Sequence, residues 1–479
     1  MVGVNSLEPA EASRLATPLP SRWPRPSPSS TFAERRQRLA ALVRSPVLLA
    51  SGWARARNFP ANIYAFRAES HFLYLIGRQL EGAALWIEPG AARLYATPPD
   101  PAARLWHGAE PSLLELSDEL GLEVRPLSEL GRGLDAASLS PQDPRAAAWL
   151  SERLGRPIRE GELGSDARDI ALAEALIELR LRHDGAALEQ MRQAAAVTRD
   201  AHLAGLARTR PGLREAQVRA SMEAVVVGSG MTLAYAPIVT RHGEVLHAVR
   251  QDGTLAAGDL LLVDVGAETP EGWAADVTRT WPVSGRFSAT QRDLYQAVLT
   301  AQAAALSALR PGVRYSEVHR ISQHALLQCL IELGIFRGSV DALLQCHAVA
   351  LFYPHGVGHL LGLDVHDMED LGDRAGYAPG RTRQTDASRR FLRLDRDLEP
   401  GMVVTIEPGF YQIPELLGAV DPQSPLGRAL DRDRLAAFAD VRGIRIEDDV
   451  LVTATGHEVL SAALPSTVAE LEAILNTRD

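Results

Sequence analysis

Four short apolar runs each carry a carboxylate toward one face. In GDLLLVDVGAE, strand alternation puts Leu260, Leu262 and Asp264 on the same side. ADVTRTWPV groups Asp276 with Thr278 and Thr280, GMVVTIEPG groups Glu407 with Val403 and Thr405, and RGIRIEDDVLVT groups Glu447 with Arg445. A carboxylate among apolar strand neighbours is costly to bury unpaired. Four of them need a shared cation or exposed strand ends. The segment HGVGHLLGLDVHD adds His355, His359 and His366 within twelve residues. His355 and His359 are four apart, but Gly356, Val357 and Gly358 between them oppose a helix. No Glu follows the first His, so this is not the helical zinc-protease pattern. One of the three is expected to ligate a metal and the others to line the site. Four carboxylates carry −4, and two divalent cations restore +4. Such cations lower the pKa of water from about 15.7 toward about 7. An oxygen-rich set with one imidazole suits Mn2+, Fe2+, Co2+ or Zn2+ rather than a structural thiolate zinc site.

Composition narrows the chemistry further. The 479 residues contain no Lys, so all 50 basic residues are Arg. Schiff-base catalysis, pyridoxal-phosphate attachment and the Walker A phosphate loop are thereby excluded. A net charge of −10 argues against a general nucleic-acid binder. Two cysteines, Cys329 and Cys346, are too few for a disulfide framework and fit a reducing cytoplasm. No stretch approaches 18 apolar residues, and the N-terminus shows no secretory signal, so neither a membrane span nor export is expected. A homo-oligomer, dimer or tetramer, is expected.

The elements that must position these residues are legible in outline. Residues 1–30 form a Pro/Ser-rich arm ending in TPLPSRWPRPSPSS, read as flexible or draped. From Thr31, a plausible N-cap, TFAERRQRLAALV reads as helix. β-like runs follow in PVLLAS, HFLYLIG, GAALWIEP and AARLYAT, with helices in PSLLELSDELG and PRAAAWLSERLG. That describes an N-terminal α/β domain over 31–177. In FRAESHFLYLIG a polar loop precedes an apolar strand. A long amphipathic helical stretch then runs to Pro211-Gly212, with the domain boundary near 178 and the second domain over 178–475. ARTRPGLREAQV (207–218) and SALRPGVRYSEV (307–318) share R-P-G-[LV]-R at an offset of 100 positions. The echo suggests a duplicated half and a pseudo-two-fold α/β (α+β) fold, with a site gathering ligands from both halves.

The order Asp264, Asp276, His359, Glu407, Glu447, with DVGAE, ADVTRTWPVSG, HGVGHLLGLDVHD, LEPGMVVTIEPGFY and GIRIEDDV around them, resembles the pita-bread metallopeptidases. Within them it is most similar to the Xaa-Pro branch, aminopeptidase P and prolidase. The resemblance covers about residues 180–475, and the N-terminal region resembles the non-catalytic domain of aminopeptidase P and some prolidases. It implies that Asp264 chelates one metal, that Asp276 and Glu447 bridge two, and that His359 and Glu407 complete the shells. Mn2+ is the expected metal. Glu407 would also handle the proton of the attacking water. His247 and His366 match histidines near the scissile carbonyl, His355 the proline side, Arg445 a supporting arginine and Tyr411 the Tyr of the EPG-x-Y segment. One departure stands out: the two Asp residues are twelve apart rather than eleven, and ETPEGW reads as a hairpin turn with one extra residue. His71, His107, His183, His319 and His457 have no such surroundings and are read as structural.

The implied reaction is hydrolysis of the bond between an N-terminal residue and a following proline. Substrate length turns on Arg393, in FLRLDRDLEPGM, fourteen residues before Glu407. Prolidases have an arginine there that clamps a dipeptide's carboxylate, whereas a surface arginine in RRFLRLDR is the plain alternative. Inserts at 369–397 and 414–440 resemble prolidases and larger bacterial aminopeptidase P homologues. The N-terminal domain favours aminopeptidase P, with prolidase as the alternative. A metal-free binding module of this fold and creatinase-type hydrolysis are disfavoured because all five ligands are present.

Overall fold

The computed structural model describes residues 23–477. Residues 1–22 of the expected arm lie outside the described residues. Residues 23–28 have no regular secondary structure. They are tied to the helix Gly185–Arg208 by Arg25 N–H to Gln193 Oε1 (2.8 Å) and Gln190 Nε2 to the Arg25 carbonyl (2.7 Å), and Ser27 Oγ donates to Glu271 (2.7 Å). The first helix among the described residues is Ser29–Leu42, with Pro28 at the N-cap, so Thr31 sits inside its first turn rather than capping it.

A four-stranded sheet follows, in the order Val47–Ala50, Ala84–Glu88, Ala91–Ala96, Glu123–Pro126. Its first two pairings are antiparallel and its last is parallel, reached through the helix Leu113–Leu120. HFLYLIG, read as a strand, is instead the helix Ser70–Ile76. All seven residues are buried, so apolar periodicity could not separate the two states. The ends decide it: the Glu69 side chain accepts the Phe72 N–H, and Gly77 closes the helix in the left-handed region. The long helical stretch is likewise two helices, Ala167–Arg180 and Gly185–Arg208, restarted by Asp184, whose side chain accepts the Ala187 N–H.

The 100-residue echo is a structural repeat. Each copy is a helix, a Pro-Gly turn, a second helix and an antiparallel sheet. The first copy comprises Gly185–Arg208, Glu215–Gly228 and the strands Ile238–Thr240, Leu260–Val265 and Val277–Pro282. The second comprises Ala289–Ala308, Tyr315–Glu332 and the strands Val403–Ile406, Asp448–Val452 and His457–Val459. The turns repeat bond for bond. Gly212 N–H donates to Leu255 O and Gly312 N–H to Leu398 O, both at 2.8 Å; the returning N–H groups of Leu255 and Leu398 reach Leu213 O and Val313 O. The connector in the second copy is longer, and it carries His355, His359, His366 and Arg393; the shorter first connector carries His247. The halves meet along the strand Gly443–Arg445, where Arg445 and Thr280 exchange hydrogen bonds and Glu447 N–H donates to Thr278 O at 3.0 Å.

The N-terminal domain grips the second connector. Arg67 donates to Leu363 O (2.6 Å) and Glu268 (2.8 Å), and Ser70 Oγ to Asp364 (2.7 Å). Arg180, fully buried, donates to His71 Nδ1, Asp364 and Asp367, while His71 Nε2 meets Asp370 at 3.1 Å.

Gly212 and Gly312 have φ of +88° and +82°, and a Cβ on either would meet nothing within 4 Å. Replacing either with Ala therefore carries only the backbone cost, about 1–2 kcal/mol. Equal destabilisation of the two variants in urea unfolding is the expected result; a large difference would show that the turns are not equivalent.

Candidate active site

The carboxylates reach one point because each stands at or beside a strand end. Asp264 pairs with Thr278 across the antiparallel strands Leu260–Val265 and Val277–Pro282, and Asp276 immediately precedes the second of them. The segment between the two aspartates makes a turn at 269–273, closed by Thr269 N–H to Trp273 O at 2.9 Å. Both side chains still point the same way, since Tyr235 Oη lies 2.6 Å from Oδ1 of each. Glu407 follows the strand Val403–Ile406, and Glu447 lies between Gly443–Arg445 and Asp448–Val452. Alternation sorts the three consecutive acids there. Glu447 faces the cluster, Asp448 turns away to Arg279, Gln302 and Ser461, and Asp449 accepts the Asp276 N–H.

His359 is delivered by 357–361, which runs against the edge of Val403–Ile406 through Thr405 N–H to His359 O (3.0 Å) and Glu407 N–H to Val357 O (2.8 Å). Gly358 permits this approach, since a Cβ there would lie 2.2 Å from the Thr405 carbonyl. His359 Nδ1 donates to Leu360 O, leaving the Nε2 lone pair facing Asp276 Oδ2 (3.4 Å) and Glu407 Oε1 (3.6 Å). Two atoms each about 2.1 Å from one ion at a tetrahedral angle lie about 3.4 Å apart. Ligand atoms of Asp276, His359 and Glu447 all fall within 4.8 Å of one another.

A cavity of about 320 Å3 is lined by Asp264, Asp276, His359, Glu407, Glu447, His247, His355, His366, Arg393 and Arg445, closed by Leu246, Pro354 and Phe391. Tyr411, expected on the substrate side, is fully buried behind it. Its hydroxyl donates to His355 Nε2 (2.8 Å) and accepts from Arg445 Nη1 (3.2 Å), so it positions His355 rather than touching a substrate. Arg445 is likewise committed, with Nη2 on Asp264 (2.6 Å) and Nε on Thr278 (3.0 Å). Arg393 stands at the rim and donates to Glu369. Tyr235 and Asp449 carry no signal in the sequence; alternation groups Thr278 with Asp276, but its hydrogen bond to Glu447 at 2.5 Å appears only in the folded chain. His183 and His319 take structural roles, on Leu361 O and Ser388 O.

Electrostatics identifies what the cluster is built to hold. Burial, reinforced by the neighbouring carboxylates, raises Glu407 to about 8 and Glu447 well above the ordinary carboxylate range. Burial raises Asp264 and Asp276 as well. A phenol has one proton, so Tyr235 can satisfy only one of the two aspartates it touches. Arg445 is the one guanidinium bonded to a carboxylate of the cluster among the described residues. Four carboxylates against one cation need protons or metal ions. Burial also lowers His359 to about 4 and His355 to about 3, keeping both neutral, the state in which imidazole ligates. The donor set therefore fits a pair of divalent cations.

The sign of the pH dependence follows for metal-stripped protein. Glu407 binds its proton more tightly when folded, so its stabilising contribution is present below about 4.5 and lost as pH rises to about 8. The buried histidines act oppositely, but only below about pH 6.5, where the unfolded chain takes up their protons. Between pH 6.5 and 8 the chelated protein should lose stability, read as a falling urea midpoint. Added divalent metal should remove that slope; a flat profile without metal would contradict the buried cluster.

Residues 189–454 match metallopeptidase family M24, and residues 32–143 match the aminopeptidase P N-terminal domain. Xaa-Pro aminopeptidase 1 of Streptomyces coelicolor is 32% identical over 506 residues, covering 98% of this chain and 93% of that protein. Human Xaa-Pro dipeptidase is 31% identical over 474 residues, covering 94% of each chain. Among solved structures, Pseudomonas aeruginosa aminopeptidase PepP superposes with a TM-score of 0.77 at 29% identity, over 95% of this chain and 99% of that one. Zn-substituted Escherichia coli aminopeptidase P in complex with product gives 0.77 at 27% identity, over 95% and 100%. With the M24 model matching more than half of the chain, and relatives above 30% identity spanning nearly all of it, the protein belongs to metallopeptidase family M24.

Proposed function

We propose that this chain is a Xaa-Pro aminopeptidase, releasing the N-terminal residue from peptides with proline in second position. The observation that carries the reading is the convergence of Asp264, Asp276, Glu407 and Glu447 with the free Nε2 of His359 in one buried cluster. Asp264, Asp276, His359, Glu407 and Glu447 would together hold two divalent cations, with Mn2+ as the expected ion. Two such cations supply Lewis acidity for the scissile carbonyl and lower the pKa of water.

The side chains do the rest. Glu407 accepts the proton of the attacking water and passes it to the departing proline nitrogen. His247 and His366, on the cavity wall, donate to the oxyanion. The proline nitrogen offers no N–H, so the site must recognise the ring by shape. His355 supplies a rigid wall: its Nδ1 donates to Gly356 O at 2.8 Å and its Nε2 accepts from Tyr411. Residues 31–177 serve as the non-catalytic domain and 178–475 as the catalytic one. Two free cysteines support a cytoplasmic location. A prolidase reading is favoured by one observation, the guanidinium of Arg393 at the cavity rim.

A panel of Xaa-Pro, Xaa-Pro-Yaa and Xaa-Ala peptides with added Mn2+ tests the proposal. Cleavage of Xaa-Pro-Yaa above Xaa-Pro is expected, with Xaa-Ala poor; dipeptide preference would make it a prolidase. Glu447→Ala should lower bound metal per chain and abolish turnover. A folded Glu447→Ala protein with near-normal metal and turnover would end the dinuclear assignment.

A further inference from the structure

The rim of the cavity holds a pairing that the reaction itself does not require. Arg393 Nη1 donates to both oxygens of Glu369, at 2.8 and 2.6 Å, and the same carboxylate lies 3.4 Å from His366 Nδ1. Arg393 and His366 both line the cavity that contains the metal-ligand cluster. The other arginine lining it, Arg445, is spent on Asp264, Thr278 and Tyr411. Arg393 is therefore the cation available to a substrate carboxylate, and Glu369 shows that a carboxylate docks on it.

We infer that Glu369 is a specificity-determining residue that neutralises Arg393 and turns the site away from Xaa-Pro dipeptides toward longer Xaa-Pro peptides. The inference rests on the Xaa-Pro peptidase reading above. A dipeptide places its free carboxylate one residue from the scissile bond. It would approach a guanidinium whose charge is already balanced by a carboxylate in contact with it, and the two anions would repel across a short distance. A longer peptide has an amide at that point and its terminal carboxylate further out, so it needs no cation there. Nη2 and Nε of Arg393 make no hydrogen bond among the described residues. What Glu369 removes is thus mainly charge rather than every donor. The pair is held in place on the protein side. Glu369 follows the segment that Arg67, Ser70 and Arg180 hold at Leu363, Asp364 and Asp367, and Asp370 beside it is bonded to His71.

The test compares kcat/KM for an Xaa-Pro dipeptide with that for the matching Xaa-Pro-Yaa tripeptide, in Mn2+-loaded protein. Glu369→Gln keeps the shape of the side chain and removes its charge. Because Glu369 also touches His366, the substitution can shift both rates together, and that common effect cancels in the ratio. The dipeptide-to-tripeptide ratio should rise about tenfold or more, the scale of hydrogen bonds to a charged group. The gain should appear mainly in KM for the dipeptide. In an Arg393→Ala background the same substitution should leave the ratio unmoved. An unchanged or lowered ratio for Glu369→Gln overturns the inference, as does a full shift that persists without Arg393. Wild-type protein that cleaves neither peptide fails the parent reading and takes this inference with it. Wild-type cleavage with an unmoved ratio fails the inference alone.

Discussion

Like charges forced together out of water dominate this molecule. Asp264, Asp276 and Glu447 are buried and Glu407 half-buried where they converge on the cavity wall, and the strands, turns and supporting hydrogen bonds nearby can be understood as what keeps them there. Each ligand-bearing segment is tied by its backbone to the next: Glu447 N–H to Thr278 O, Glu407 N–H to Val357 O, Thr405 N–H to His359 O. The side chains are then fixed by partners of their own, Thr278 on Glu447, Arg445 and Tyr235 on Asp264, and Asp449 on the amide of Asp276. A repulsive cluster can be held so closely only if its members lack the freedom to move apart, and buried strand ends provide that.

Much of this was legible from residue types alone. Alternation placed the four carboxylates on common faces, and the glycines within HGVGH ruled out a helix. The 100-residue echo gave the duplication, which the paired turns at Gly212 and Gly312 bear out. What stayed hidden has a common cause. HFLYLIG is buried on every side, so its periodicity carried no information and Glu69 and Gly77 decided its state. The helix break at 181–184 depends on one capping Asp within an otherwise continuous pattern. Tyr235, 29 residues before Asp264, has no signature because its role exists only once the sheet is assembled. Tyr411 was found as a residue, but its orientation behind His355 depends on packing that spacing cannot express.

Among the described residues the N-terminal domain adds no side chain to the carboxylate cluster, yet it is not a passive neighbour. Arg67, Ser70 and His71 hold the second connector at Leu363, Asp364 and Asp370, on both sides of His366. Arg180, buried between them, satisfies three partners at once. A cavity of about 560 Å3 between the N-terminal domain and this connector also has His366 in its wall. Substitutions in this interface should therefore reach the chemistry through the placement of one loop, without touching a ligand.

The duplicated architecture has a mechanical consequence. Asp264 and Asp276 come from one half, His359, Glu407 and Glu447 from the other, and the seam between the halves passes through the cluster. Ions bound there would act as rivets, closing a chain segment of 183 residues (447 minus 264) at its ends. Loop closure on that scale is entropically expensive and grows only slowly with length, so the rivet penalises any state in which one half opens while the other stays folded. Loaded protein should melt as a single block, whereas demetallated protein is free to come apart along the seam. Cooperativity of unfolding thus becomes a property conferred by the ions, shared by two halves that began as copies of one.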